Sequence, residues 1–334
     1  MTHELKKIVE RYQQSKENRK AVLASVVALD GSSYRRPGVR MLLFEDGEMV
    51  GAVSGGCVEK EVLRQASSVF TSGVPKVMVY DGRYRLGCEG ILYILLEPFS
   101  PADDFLSEFW EVVSSRKPYS ITSYYVKDHS ENSNYGSLFD FNGQAIPLSA
   151  NRIEISELSV FEQELKPCFQ LVIIGAEHDA VQLCQYANLT GWEVTVVASP
   201  REEKTKEHFP GVHRFLQFEP EGLDLALDEQ TAVILMTHSF VKDLGYLLAL
   251  REKKCAYLGL LGPARRREKL FDEILERHPE ISEEFLEGVH GPAGIDIGAE
   301  TPQEIAISIL SEILTVFNKK EPQLLKEKTG TIHS

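Results

Sequence analysis

The amino-acid sequence predicts an α/β protein in two parts: a β-rich α+β domain, then a doubly wound parallel sheet. Three observations carry that prediction. The chain has 334 residues, and at roughly 150 residues per domain this length accommodates two cores. Between 21 and 149 the apolar residues recur with a period near two and the runs are joined by hairpin dipeptides. Beyond 168, short continuous apolar runs alternate with helical patterns, as buried parallel strands and their crossover helices do. The expected boundaries are a first domain at 1–150, a linker at 151–167, a second domain at 168–318 and a mobile tail at 319–334.

In the first domain, residues 3–17 read as an exposed helix, and AVLASVVAL followed by VRMLLFEDGEMVGAVS turns to strand periodicity. Asp46-Gly47 between those apolar runs signals a hairpin. A helix fits 57–71, with Val58, Val62, Ala66 and Val69 at helical intervals. KVMVYD (76–81) and ILYILLEP (91–98) read as strands, and YSITSYYV and SLFDFNGQAIPL repeat the β character around Asn142-Gly143. The strand, loop, strand, turn, strand order of 21–55 recurs loosely at 119–149. The linker is charged at first and ends at Pro167.

In the second domain, strands are expected at 170–175, 192–198, 231–237 and 256–262, with helices at 178–190, 240–252, 264–277 and 302–317. That alternation predicts a Rossmann-like fold. The last helix carries a start signal: Thr301 as cap, Pro302 at the first helical position and Glu304 three residues after the cap. Its Ile305, Ile309, Leu310, Ile313 and Leu314 form one stripe expected to face the core.

With 36 basic and 50 acidic residues the formal charge is −14. A chain this acidic lacks the basic footprint of a general nucleic-acid binder or of a protein that docks on anionic lipid. No apolar run approaches the length of a membrane span, and the polar N-terminus has no export signal. The five cysteines never form CxxC, which predicts neither a disulfide framework nor a structural zinc site. A reducing, cytoplasmic setting is expected.

The densest chemistry lies between 31 and 90. Gly31 to Arg40 is a glycine-bounded loop carrying Arg35, Arg36 and Arg40, and arginines clustered against an acidic background suggest a local anion site. Val53-Ser54-Gly55-Gly56-Cys57-Val58-Glu59 runs into the first-domain helix. Bare glycine amides and a helix start favour a phosphate there, and they also favour a thiolate. Cys57 is therefore the best candidate for a reactive or ligating sulfur. Cys88 sits in a second glycine loop, Leu86-Gly87-Cys88-Glu89-Gly90. Two thiolates facing one site would suit a soft metal; the same spacing also suits small apolar residues in tight turns. Cys168, Cys184 and Cys255 lie in apolar surroundings and read as packing residues.

The first βα turn of the second domain is Gly175-Ala176-Glu177-His178-Asp179-Ala180. A dinucleotide fingerprint wants glycine where Glu177 stands and an acidic residue where Ser199 ends the second strand. NAD(P) binding is therefore doubtful, although Ser199 with Arg201 could accept a 2′-phosphate. The strand ends should gather Glu177, His178, Ser199, Arg201, His238 and Gly262 around one crevice. His238, just after a strand and ahead of Asp243, reads equally as functional or structural. Arg265, Arg266 and Arg267 after Gly262-Pro263 read as an anion site or as a solvated helix face.

GSSYRRPGVRML, VSGGCVE and LGCEG resemble the N-terminal domain of the XdhC/CoxI family of xanthine dehydrogenase accessory proteins. GAEHDA, MTHSF with Asp243, YLGLLGPARRR and GPAGIDIGAETPQEIAISIL resemble the Rossmann-like C-terminal domain of that family. The resemblance spans roughly 20–317 in the expected order. It implies a chaperone that binds molybdenum cofactor transiently, protects it while its terminal sulfur is installed, and delivers it to a xanthine dehydrogenase-type molybdenum hydroxylase. The implied partners are the apo-hydroxylase and a cysteine desulfurase; a homodimer is expected on general grounds. Carried over by position, the cofactor-binding candidates are Arg36, Gly38, Arg40, Ser54, Gly55, Gly56, Cys57, Gly87 and Cys88 in the first domain. In the second they are Gly175, His178, Asp179, Arg201, His238 and Gly262, and Cys57 and Cys88 are the candidate molybdenum contacts. No catalytic residue is assigned; the implied role is that of an accessory factor without turnover. The alternative is an NAD(P)- or nucleotide-dependent enzyme acting on molybdopterin or a small molecule through the second domain. The chain departs from the family pattern at Glu89, Glu177, Ser199 and the GPARRR segment.

Overall fold

The computed structural model describes residues 1–15, 19–31, 36–54, 56, 58–82, 90–149 and 157–329. Two compact units share the chain, Met1–Cys168 and Phe169–Ser334.

The first unit opens with helix α1 (Thr2–Gln13), followed by β1 (Ala21–Asp30), β2 (Arg40–Phe44), β3 (Met49–Gly51), α2 (Glu59–Ser72), β4 (Lys76–Asp81) and β5 (Ile91–Pro98). It continues through α3 (Asp103–Ser114), β6 (Tyr119–Tyr125), β7 (Ser130–Glu131), β8 (Gly136–Phe141), β9 (Gln144–Pro147) and β10 (Ser159–Leu165). Two antiparallel sheets result, ordered β3-β2-β1-β5-β4-β7 and β10-β6-β8-β9. Both hairpins foreseen from DG and NG form, and Asn142 and Gly143 take positive φ of 55° and 89°, as a primed two-residue turn requires. Each of the two stretches of similar order, 21–55 and 119–149, gives a three-stranded antiparallel run, β1-β2-β3 in the first sheet and β6-β8-β9 in the second, and the latter stretch also lends β7 to the first sheet.

Alternation decides the layers. Val22, Ala24, Met41, Leu43, Ile94 and Leu96 face α2 and meet its Val62, Ala66 and Val69. Leu23, Leu42 and Phe44 point the other way, into a second core with α1, α3 and the second sheet. Helix α3, an addition to the elements expected from sequence, brings Phe105, Phe109 and Val112 there at helical spacing. Residues 159–165, expected within a linker, form β10 instead and pair along β6 from Ser159↔Tyr125 to Leu165↔Tyr119. The reason is that alternate residues of SVFEQEL present one face to the sheet, which the surrounding charge obscures.

The second unit is an all-parallel sheet ordered β13-β12-β11-β14-β15-β16. Its elements are β11 (Gln170–Ile174), α4 (His178–Leu189), β12 (Glu193–Ala198), β13 (Arg214–Gln217), β14 (Thr231–Leu235), α5 (Phe240–Leu250), β15 (Tyr257–Leu260), α6 (Ala264–Arg277), α7 (Glu283–Glu287), β16 (Val289–His290) and α8 (Pro302–Phe317). Helices α4 and α8 cover one face, and α5, α6 and α7 the other. The chain starts in the middle at β11, moves outward to β13, then returns to β14 on the other side, the doubly wound arrangement of Rossmann-like domains. On α8, Ile309, Leu310 and Ile313 are buried as expected, whereas Leu314 is exposed, so the stripe is narrower than the sequence reading has it. Among the described residues no helix is long and apolar enough to cross a membrane.

Candidate functional site

In the first unit, three glycine-bearing loops leave one end of one sheet. β1 ends at Asp30 opposite Ile91, where β5 starts, and β4 ends at Asp81 opposite the same Ile91. β2 starts at Arg40, next to Met41, which pairs with Gly51 at the end of β3. The connections β1–β2, β3–α2 and β4–β5 therefore emerge side by side, and these are the three loops singled out in the sequence. Gly82 N–H donates to the Gly90 carbonyl and closes the base of the third. Gly55, Cys57, Gly87 and Cys88 lie outside the described residues.

The described residues of this group divide. Arg36 is exposed and Gly56 is exposed, with φ of 122° and open space where a Cβ would stand. Gly38, at φ 99°, has a backbone conformation that favours glycine, and the end of the Gln163 side chain lies against it. Arg40 is buried: its Nη1 donates to the Gly38 carbonyl at 2.9 Å and to Gln163 Oε1 at 2.6 Å. The cluster of arginines expected on one loop is thus split, with Arg36 outside and Arg40 between the sheets. Burial pulls the Arg40 guanidinium down to about 10, against the opposing influence of Tyr119, Glu97 and Glu4. Burial likewise pushes the Glu97 carboxyl up to about 7, although Ser137 donates to it through both N–H and O–H and Arg40 pulls it back.

One residue of the loop region had no role in the sequence reading. Glu59, the first residue of α2, is buried, and its carboxylate accepts the Ser54 N–H at 2.7 Å and the Ser54 O–H at 3.1 Å. It pins the start of the Ser54–Val58 connection to the helix that ends it. Helix α2 begins at Glu59 rather than at 57.

In the second unit the strand order reverses between β11 and β14, and the loops that follow these parallel strands form the crevice where ligands of such sheets bind. Gly175 has φ 137°, and a Cβ on it would collide with the Met236 carbonyl, so the two loops touch backbone to backbone. His238 is a non-glycine residue at φ 57°. Its Nε2 lies 3.5 Å from Asp179 Oδ2, linking the β14–α5 loop to α4. Next to it, Thr237 donates its hydroxyl to Asp243 Oδ1 at 2.6 Å. Asp243 is fully buried and receives Arg266 Nη2 at 2.6 Å. Gly262, at φ 122°, makes room for the Arg266 side chain, which passes 2.8 Å from where its Cβ would be.

Gly175, Asp179, His238 and Gly262 are thereby joined in one network with Asp243 and Arg266. His178 and Arg201 are exposed and outside it. Of the three arginines, Arg266 is engaged by Asp243 and Arg267 lies over the Phe271 ring at 5.8 Å, which leaves Arg265 as the exposed member. Cys184 is buried, and burial pushes its thiol up to about 12, as suits a packing residue. Among the described residues, no three histidine, cysteine or acidic side chains gather to hold a metal ion.

Known proteins now bear on these two sites. Residues 15–81 match the family model described as "XdhC and CoxI family", and residues 171–313 match "XdhC Rossmann domain". The chain belongs to the XdhC and CoxI family. Among curated relatives, this XdhC and CoxI protein is 28% identical to a Bacillus subtilis protein named as a probable subunit of xanthine dehydrogenase, over 89% of this chain and 93% of that one. It is also 28% identical to the "Molybdenum cofactor insertion chaperone PaoD" of Escherichia coli, over 89% and 83%. A crystal structure from Bacillus halodurans, described as a xanthine dehydrogenase, shares the fold with a TM-score of 0.78 at 24% identity, over 96% of this chain and 97% of that one.

Proposed function

We propose that this XdhC and CoxI protein carries molybdenum cofactor as cargo, shields it while its terminal sulfur is installed, and hands it to an apo-enzyme of the xanthine dehydrogenase type. One observation carries the reading: the three loops that bear Arg36, Ser54 to Cys57 and Gly87-Cys88 leave the same end of one sheet. Molybdopterin presents a phosphate and a dithiolene-bound metal. An exposed arginine and the exposed Gly56, close ahead of the α2 start, suit the phosphate. Cysteine thiolates suit the metal side of the cargo. The relative named as an insertion chaperone supports the same reading.

In this role the chain turns nothing over. Glu59 holds Ser54, at the start of the loop, through two hydrogen bonds. Arg36 supplies charge, and Cys57 and Cys88 supply sulfur. The sulfur donor is a cysteine desulfurase, the recipient is the apo-hydroxylase, and the carrier acts as a homodimer. The test is titration of the purified protein with molybdenum cofactor: a one-to-one complex weakened by Cys57→Ala is expected, and absence of binding in both forms overturns the proposal.

A further inference from the structure

The cargo reading leaves the second unit without a ligand of its own, and the sequence offers two arguments against a nucleotide there: Glu177 in the turn and Ser199 where an acid belongs. The structure removes the second. Ser199, directly after β12, donates its hydroxyl to Glu219 Oε1 at 2.8 Å. Glu219 follows β13, the neighbouring strand, so the carboxylate missing from the tip of β12 is delivered to that tip from the side.

Its position is fixed on both flanks. Phe218 N–H donates to the Ala198 carbonyl, which ties the segment to the last residue of β12. The hydroxyl of the buried Tyr246 on α5 donates to the Phe218 carbonyl at 2.6 Å. Pro220 packs where Gly245 of α5 lacks a side chain; a Cβ there would approach Pro220 to 2.9 Å. Glu219 itself is only partly buried, and its bond to Ser199 uses one of its two oxygens. A held, half-exposed carboxylate at the end of the second strand of a doubly wound sheet is the group that accepts ribose hydroxyls in such folds.

We propose that the crevice of the second unit binds a ribonucleotide through its 2′,3′-diol, with Glu219 as acceptor and Ser199 as its positioning partner. The carboxylate sets the specificity in two directions. A 2′-deoxyribose loses the hydrogen bond to a charged acceptor, and a 2′-phosphate meets a like charge, so Arg201 does not make this a 2′-phosphate site. Glu177 stands at the start of α4, exposed, where a pyrophosphate laid across the helix start would meet its charge. A single phosphate brings less negative charge against Glu177 than a pyrophosphate does, so ribonucleoside monophosphates are the ligand class and dinucleotides the disfavoured one.

The inference stands apart from the cargo reading, since it concerns residues of the second unit alone. The full chain is titrated by calorimetry with AMP, GMP, CMP and UMP, with their 2′-deoxy counterparts, and with adenosine 2′,5′-bisphosphate. At least one ribonucleotide is expected to bind about tenfold or more tightly than its 2′-deoxy counterpart, and the bisphosphate more weakly than AMP. In Glu219→Gln the preference for ribose is expected to fall to a few-fold. Absence of binding by all four ribonucleotides, or equal affinity for ribose and deoxyribose in the unaltered chain, overturns the proposal whatever the variant does. An unchanged ribose preference in a folded Glu219→Gln chain overturns the role of Glu219.

Discussion

Asp243 and Arg266 form a largely buried ion pair at 2.6 Å that joins the first turn of α5 to the first turn of α6. Asp243 is 1% exposed and also takes the Thr237 hydroxyl, so its charge has two partners within the fold. Removing one member of such a pair strands the other, which costs more than the pair contributes. Arg266→Ala is accordingly expected to destabilise the second unit by about 3 kcal/mol, read by chemical denaturation. The companion variant Asp243→Asn is expected to cost less than Arg266→Ala, because it leaves no buried anion. A loss under about 1 kcal/mol for Arg266→Ala would place the pair among weak surface contacts.

His238 makes the opposite case. It holds a left-handed backbone at φ 57°, which costs a non-glycine residue on the order of 1 kcal/mol. Its contact with Asp179 is half exposed and offsets little. His238→Gly is expected to raise the melting temperature, while a β-branched residue in its place lowers it. A fall in stability with glycine would mean that the imidazole contributes more packing than strain.

How far these sites were legible in sequence follows from what each feature depends on. The α8 start was readable because a capping box is local: Thr301 Oγ accepts from Glu304 N–H, and Glu304 accepts from Thr301 N–H at 2.9 Å. Helices α6 and α8 begin and end at the expected residues because apolar periodicity marks both and a capping box also marks the start of α8. Glu219 was invisible because it reaches the β12 tip from a four-residue strand with no alternation to announce it. Arg40 read as a loop cation because sequence shows its neighbours in the chain. Its real neighbours, Gln163 on β10 and Glu97 on β5, arrive from strands far away in sequence.

That buried polar cluster makes the first unit sensitive to pH. Glu97 titrates at about 7 in the folded unit, raised by burial, and near 4.5 when unfolded. The raised value means that the folded state holds the proton more tightly. The stabilising contribution is full below 4.5 and is lost as pH rises through 7, by about 3 kcal/mol in all. Glu97→Gln keeps an acceptor for the Ser137 N–H without the charge. Denaturation at pH 5 and pH 8 is expected to show a smaller loss with rising pH in the variant than in the unaltered chain, and equal losses would refute the assignment.

The clamp at the head of α2 ties stability to cargo binding. Glu59 spends both carboxylate oxygens on Ser54, one on its N–H and one on its O–H. Helices begin well with glutamate in the first turn, but a surface glutamate would serve the helix dipole equally. Burial to 7% exposure has a different use, which is to hold Ser54 at the start of the connection to α2. Ser54→Ala removes one of the two bonds and leaves the backbone N–H in place, so a modest loss of about 1 kcal/mol is expected. Glu59→Ala removes both and orphans the Ser54 N–H, at about 2 kcal/mol. If the loop is the cargo site, molybdenum-cofactor affinity falls further in Glu59→Ala than in Ser54→Ala, while the near-ultraviolet circular dichroism of both stays that of the folded chain. Equal cofactor affinity in the two variants and the unaltered chain would show that the contact between Glu59 and Ser54 serves the helix and not the cargo.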